Sequence, residues 1–162
     1  MSKKRATMRL LTLATATFLA PMALAADTAV LTSDVSPVEV WEADPTTIFD
    51  AAEIDLAEFQ WVARPIVVFA NTARDPSFGE QLEELQDGLD QLIERDVVLV
   101  VDTDPDARSD IRQRLRPRGF MMVLIGKDGE VELRKPFPWT VRELNRSIDK
   151  MPLRQREMRE RG

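Results

Sequence analysis

The chain contains neither cysteine nor histidine. Those two gaps remove much chemistry at once. Without a thiol there is no disulfide and no thiolate nucleophile; without imidazole there is no Ser-His-Asp triad and no ordinary zinc site. Catalysis would have to run on carboxylates, Lys, Arg, Ser or Thr, and no motif calls for a cofactor. The basic excess of a general nucleic-acid binder is also missing. The 22 Lys and Arg stand against 28 Asp and Glu, a formal net charge of −6, whereas a nucleic-acid surface is basic. Beyond the first 25 residues no apolar run approaches the roughly 20 residues of a membrane-spanning helix.

What is present begins with "MSKKRATMR", which carries Lys3, Lys4, Arg5 and Arg9, and continues with "LLTLATATFLAPMALA". A basic start, a short apolar run broken by Pro21 and an Ala23-Leu24-Ala25 site make residues 1–25 a secretory signal peptide, with cleavage expected before Ala26. A lipid-anchored variant would need a cysteine at the cut. The expected destination is the periplasm, or else the extracellular space. Four of the 22 basic residues lie in that segment and none of the 28 acidic ones. The mature chain is therefore 18 against 28, formally −10, in 137 of the 162 residues. That is one domain's worth, large enough to stand on its core without disulfides.

Residues 26–47 are polar, with Pro37 and Pro45 and little periodicity, and read as a flexible leader. Residues 48–162 are expected to form the folded domain. "IFDAAEIDLAEFQW" brings in apolar residues that would pack a short element against it. Pro65 to Ala70 is a continuous apolar run, as in a strand covered on both faces. Ser77 and Glu80 are spaced as a capping box, and Phe78, Leu82, Leu85, Leu89 and Leu92 then form one helical stripe. "VVLVVD" is a second buried strand. Asp104-Pro105 signals a cap, and Ile111 and Leu115 mark the buried side of a short helix. "FMMVLIG" is a third strand, Asp128-Gly129 a hairpin turn, and "EVELR" a half-exposed edge strand. Thr140 and Glu143 open a last helix striped by Val141, Leu144, Ile148 and Met151. The order β-α-β-α-β-β-α predicts an α/β domain in which helices flank a mixed four-stranded sheet.

That order, with "GFMMVLIGKDGEVELR" before the last helix, resembles the thioredoxin-like fold. At a finer level "RPIVVFA", "RDVVLVVD", "VLIGKDGEVELR" and "IDKMPLRQREMR" are similar to the exported bacterial family carrying domain of unknown function 4174. Related domains occur in animal sushi-repeat and matrix-associated proteins. The last of these segments is the one that no generic fold requires. The resemblance implies a reactive loop after the first strand of the motif, where active thioredoxins carry Cys-x-x-Cys. Here that loop holds Asn71, Thr72, Ala73, Arg74 and Asp75. The cis-proline expected beside those sulfurs would fall near Phe120 or Met121, and Pro117 is several residues too early. Thiol-disulfide exchange needs a thiolate, so the resemblance implies a fold kept without its redox chemistry.

The candidate binding residues follow. Asn71, Thr72, Arg74 and Asp75 lie before a helix N-terminus, where free N–H groups could hold an anion or a partner carboxylate; the alternative is that Asp75 and Ser77 cap the helix. Arg154, Arg156 and Arg159 belong to a tail suited to carboxylate or phosphate contacts, or else to a solvated helix laced by Glu157 and Glu160. The expected partner is another envelope protein or a small anionic ligand. A rival reading uses Asp102 and Asp104 in a carboxylate- or metal-dependent enzyme, although a calcium loop counted from Asp102 would place Ala107 and Gln113 where Gly and Glu are wanted. A third is a structural or adhesive envelope component. The Pro-flanked Phe137 and Trp139 are expected to staple the entrance of the last helix.

Overall fold

A computed structural model describes residues 35–162. The expected signal peptide, and the leader as far as residue 34, lie outside the described residues. The sheet has five strands in the order β1-β3-β2-β4-β5, where β1 is Ile48–Asp50, β2 Arg64–Phe69, β3 Val97–Asp102, β4 Met121–Ile125 and β5 Val131–Lys135. β1 and β2 run parallel to β3 on its two sides, while β4 runs antiparallel to both β2 and β5. The four strands expected from the sequence form the body of this mixed sheet. β1 is the addition, three residues that pair Ile48 with Leu99 and Asp50 with Val101. A strand that short leaves no alternating pattern to read.

Every residue of β2 is buried, as a central strand covered on both faces must be. On one face Ile66, Val68, Leu99, Met122 and Leu124 meet the stripes of α2 (Pro76–Asp87), α3 (Leu89–Ile93) and α5 (Val141–Ile148). On the other, Val67, Phe69, Val100, Val123 and Ile125 pack on Leu56, Ile111 and Leu115. The last two sit on α4 (Asp110–Leu115).

Three local expectations are corrected. The single helix read through Leu92 is split at Gly88. A Cβ there would lie 2.6 Å from Val141 Cγ2, so the helix breaks where α5 crosses it and only glycine admits the approach. The cap of α2 is Asp75, with Pro76 in the first turn, rather than the Ser77–Glu80 pair. Residues 37–43 of the presumed leader form a helix, α1 (Pro37–Ala43), opened by a Ser36–Glu39 capping box. Its Trp41 is buried against Phe59, Ala63 and Val98, so burial of one large ring orders a segment whose composition looks polar. The capping box of Thr140 and Glu143 is present as expected. Asp104 caps the short 3-10 turn at Pro105–Ala107, while Ser109 caps α4. No helix among the described residues is long and apolar enough to cross a membrane.

Candidate functional site

The loop that follows β2 sits at the carboxyl ends of β2 and β3, beside the N-terminus of α2. Asn71, Thr72, Ala73 and Arg74 are exposed there. Thr72 turns the chain, accepting from the Arg74 N–H through its hydroxyl at 3.3 Å and from the Asp75 N–H through its carbonyl. Asp75 accepts from the Ser77 and Phe78 amides at 2.9 and 3.3 Å. Its carboxylate thus takes up the amides an anion would have used. The capping alternative describes Asp75, and the exposed Arg74 is left as the cation of the loop.

Behind the loop, Asp102 is buried and consumed. Its carboxylate accepts from Ser109 Oγ at 2.7 Å and from Arg112 Nε and Nη2 at 2.9 and 2.6 Å. Arg112 Nη2 also donates to the carbonyls of Ala70 at 2.7 Å and Asp102 at 3.0 Å, and its guanidinium lies over the Phe69 ring. One arginine therefore ties the ends of β2 and β3 together, and Ser109 holds the same carboxylate while capping α4. Asp104 spends its carboxylate on the Asp106 N–H. Asp102 is thus fully engaged and not free as the nucleophile of the rival reading, whereas Asp104 is exposed with one oxygen in the cap. Among the described residues no group of three or more acidic side chains could hold a metal ion.

The opposite end of the sheet is richer in charge. Arg64, at the start of β2, is fully buried. It donates to the Arg95 carbonyl at 2.8 Å and to Glu157 Oε1 at 2.9 Å. Glu157 lies on α6 (Pro152–Arg161) and also takes Lys127 Nζ at 3.1 Å. Lys127 reaches Asp96 at 2.8 Å, and Arg161 approaches the same oxygen at 3.4 Å. Arg95 grips Asp149 through two 2.9 Å bonds. Burial pushes the Glu157 carboxyl up, but hydrogen bonds and charge from Arg64 and Lys127 outweigh it and leave its pKa lowered. Each of the four segments that carry the family resemblance supplies part of this cluster: Arg64; Arg95 and Asp96; Lys127; Asp149, Arg154 and Glu157.

The tail arginines therefore divide. Arg154 is buried, with Nη1 3.5 Å from Glu157 and Nε 3.7 Å from Asp149; it belongs to the docking of α6, a correction to its reading as a contact residue. Arg156 and Arg159 remain exposed. Phe137 is 53% exposed, so of the two rings expected to staple the entrance of α5 only Trp139 packs against the core cluster of Val141 and Leu144, and its backbone has to be held as well. That work falls to the buried Gln81, whose amide pairs with both the N–H and the carbonyl of Trp139, and Lys135 lies 3.8 Å over the Trp139 ring.

Sequence reasoning missed a groove. A cavity of about 190 Å³ opens between the 3-10 turn at Leu56–Phe59 and the β4–β5 turn, lined by Leu56, Phe59, Gln60, Arg114, Asp128 and Glu130 among others. A second of about 220 Å³ adjoins it through Leu56 and Arg114. Beside it in the chain, Trp61 has a left-handed backbone (φ 67°), is 64% exposed, and donates its N–H to the Lys127 carbonyl at 2.6 Å. A bulky residue held at positive φ and left in solvent is an outlier. Its only sequence signal was an isolated tryptophan after a polar residue.

Among solved structures the chain is similar to the reduced 2-Cys peroxiredoxin of Plasmodium vivax, at 16% identity over 65% of this chain and 85% of that one, with a TM-score of 0.52. It also matches desulfothioredoxin of Desulfovibrio vulgaris Hildenborough (20% identity, 65% and 98% covered, TM-score 0.48) and chloroplastic thioredoxin z (18%, 64% and 93%, TM-score 0.48). At such identities the likeness is one of fold, and the fold is thioredoxin-like. No curated protein matches the chain. One family model spans residues 55–157, from the cap of the 3-10 turn to the Glu157 that docks α6. The chain belongs to the family described as Domain of unknown function (DUF4174).

Proposed function

We propose that this protein is an exported, redox-inactive thioredoxin-like binding module whose partner is another protein of the cell envelope. The observation that carries the reading is the fate of the carboxylates around the loop. Asp75 caps α2, Asp102 is locked by Arg112 and Ser109, and Asp104 caps a turn. The lack of cysteine and histidine in the chain also supports a role other than thiol or imidazole catalysis. What the loop offers instead is contact surface: exposed Asn71, Thr72 and Arg74. Export rests on the basic-apolar-A-x-A pattern of residues 1–25.

The test is cross-linking of mature protein in native envelope extract, comparing the parent with Arg74→Glu and with Arg156→Glu/Arg159→Glu. One partner lost in Arg74→Glu supports docking through the loop; loss in the double variant moves the contact to the tail. Equal capture by all three, or by none, removes both surfaces from the account.

A further inference from the structure

Helix α6 is held unlike any other element of the domain. It runs "PLRQREMRER" with no apolar face; Leu153 is half-buried and Met158 is 42% exposed. α5, by contrast, buries Val141, Leu144 and Ile148. A helix of ten residues is too short to persist alone in water, where about 12–15 are marginal. Its order therefore depends on its contacts, and these are ion pairs: Glu157 with Arg64 and Lys127, Arg154 with Asp149, and Arg161 with Asp96.

The hub is Glu157. The groups facing it are Arg64 from β2, Lys127 from the β4–β5 turn and Arg154 from its own helix. Asp96, before β3, shares Lys127 and Arg161 and lies 3.8 Å from Arg64. Asp149, after α5, is shared by Arg95 and Arg154. If Glu157 is neutral, the fully buried Arg64 loses its nearest counter-charge and keeps only a carbonyl and a distant carboxylate. A buried cation in that position is costly, and water can reach it if α6 leaves. The break point is present too. Met151 is extended and buried in the core, with Pro152 opening α6, so the helix can detach after Met151 without disturbing the α5 stripe.

We propose that α6 is a charge-held strap, which leaves the domain and unwinds as a unit when Glu157 is neutralised or its ion pairs are screened, uncovering a cationic socket of Arg64 and Lys127. Closed, the strap covers the end of the sheet where the four family segments meet. Open, it gives that end to solvent while the two packed faces of the sheet stay intact.

Hydrogen exchange of the full chain, corrected for intrinsic rates, tests this. Amides 155–161 should lose protection by about tenfold or more in about 1 M NaCl, where screening acts within a few ångströms, and again as pH falls below the ordinary glutamate range. β2, β3 and α5 should stay protected in the same samples. Glu157→Gln should leave those amides unprotected at every pH, and Lys127→Gln, which removes one partner and keeps the Arg64 pair, should give an intermediate loss. Protection of α6 that persists in salt and acid until the core itself opens would overturn the proposal, as would variants that exchange like the parent.

Discussion

The two ends of the sheet each withdraw an arginine from water, Arg64 fully and Arg112 in large part, and they hold it in different ways. At the loop end, Arg112 meets one carboxylate and two carbonyls that all belong to the ends of β2 and β3, at 3.0 Å or less. At the other end, Arg64 shares two carboxylates, Asp96 and Glu157, with Lys127, Arg154 and Arg161, and the nearer of the two comes from the polar helix α6. The first arrangement is closed and local to the core; the second depends on a segment that contributes little else. A buried pair whose partners are all fixed by the fold acts as a rivet. One whose partner sits on a helix with no apolar face acts as a clasp.

The sharpest way to break this contrast is at the rivet. Asp102→Ala leaves Arg112 uncompensated and should destabilise the whole domain by about 3–5 kcal/mol, read as a lower urea midpoint with one cooperative transition. Replacing both members, Asp102→Leu with Arg112→Met, should recover most of that loss. The clasp should give less: Glu157→Gln is expected to cost about 2 kcal/mol or less in global stability, because release of α6 lets water reach Arg64. A denaturation midpoint lowered as far as in Asp102→Ala would erase the distinction.

Acid sharpens the same point. The Glu157 carboxyl titrates below its ordinary value of 4.5 because Arg64 and Lys127 favour its charge. A lowered native pKa means that the unfolded chain binds this proton more readily. The contribution is therefore complete above about 4.5 and is lost as pH falls through the depressed native value. Parent and Glu157→Gln should differ in stability at neutral pH and converge below that window. The smallest effects belong to exposed charge. Arg156→Ala, Arg159→Ala and Arg74→Ala should each change stability by no more than about 0.5 kcal/mol in thermal melts, so any loss of partner capture in them reports on contact rather than folding.

Periodicity and turn chemistry carried the fold a long way. β2, β3, β4 and the Asp128-Gly129 turn stand where their apolar runs and turn residues put them, as do the stripes of Leu85, Leu92 and Leu144. What stayed hidden was pairwise and distant. Nothing in the spacing of Arg64, Asp96, Lys127 and Glu157 reveals that they converge, because ion pairs across β2, β3, β4 and α6 leave no local pattern. Asp102 was legible as a strand end but not as the partner of an arginine ten residues on. The break at Gly88 could not be read without knowing that Val141 lies against it. The site was less legible than the fold: Asp75 reads correctly as a cap, whereas Arg154 looked like its exposed neighbours and is buried.

The three tryptophans give the molecule an optical record of these regions. Trp41 is shielded within the core, Trp139 lies under a lysine, and Trp61 stands largely in solvent. The Trp61 amide is bound to the carbonyl of Lys127, whose ammonium grips Glu157. Its indole is therefore open to a soluble quencher and anchored to the turn that the strap holds. Emission from Trp41 would report the fate of the whole domain, and that from Trp61 the state of one end of it, so substituting either ring by phenylalanine separates two signals that the unmodified chain emits together.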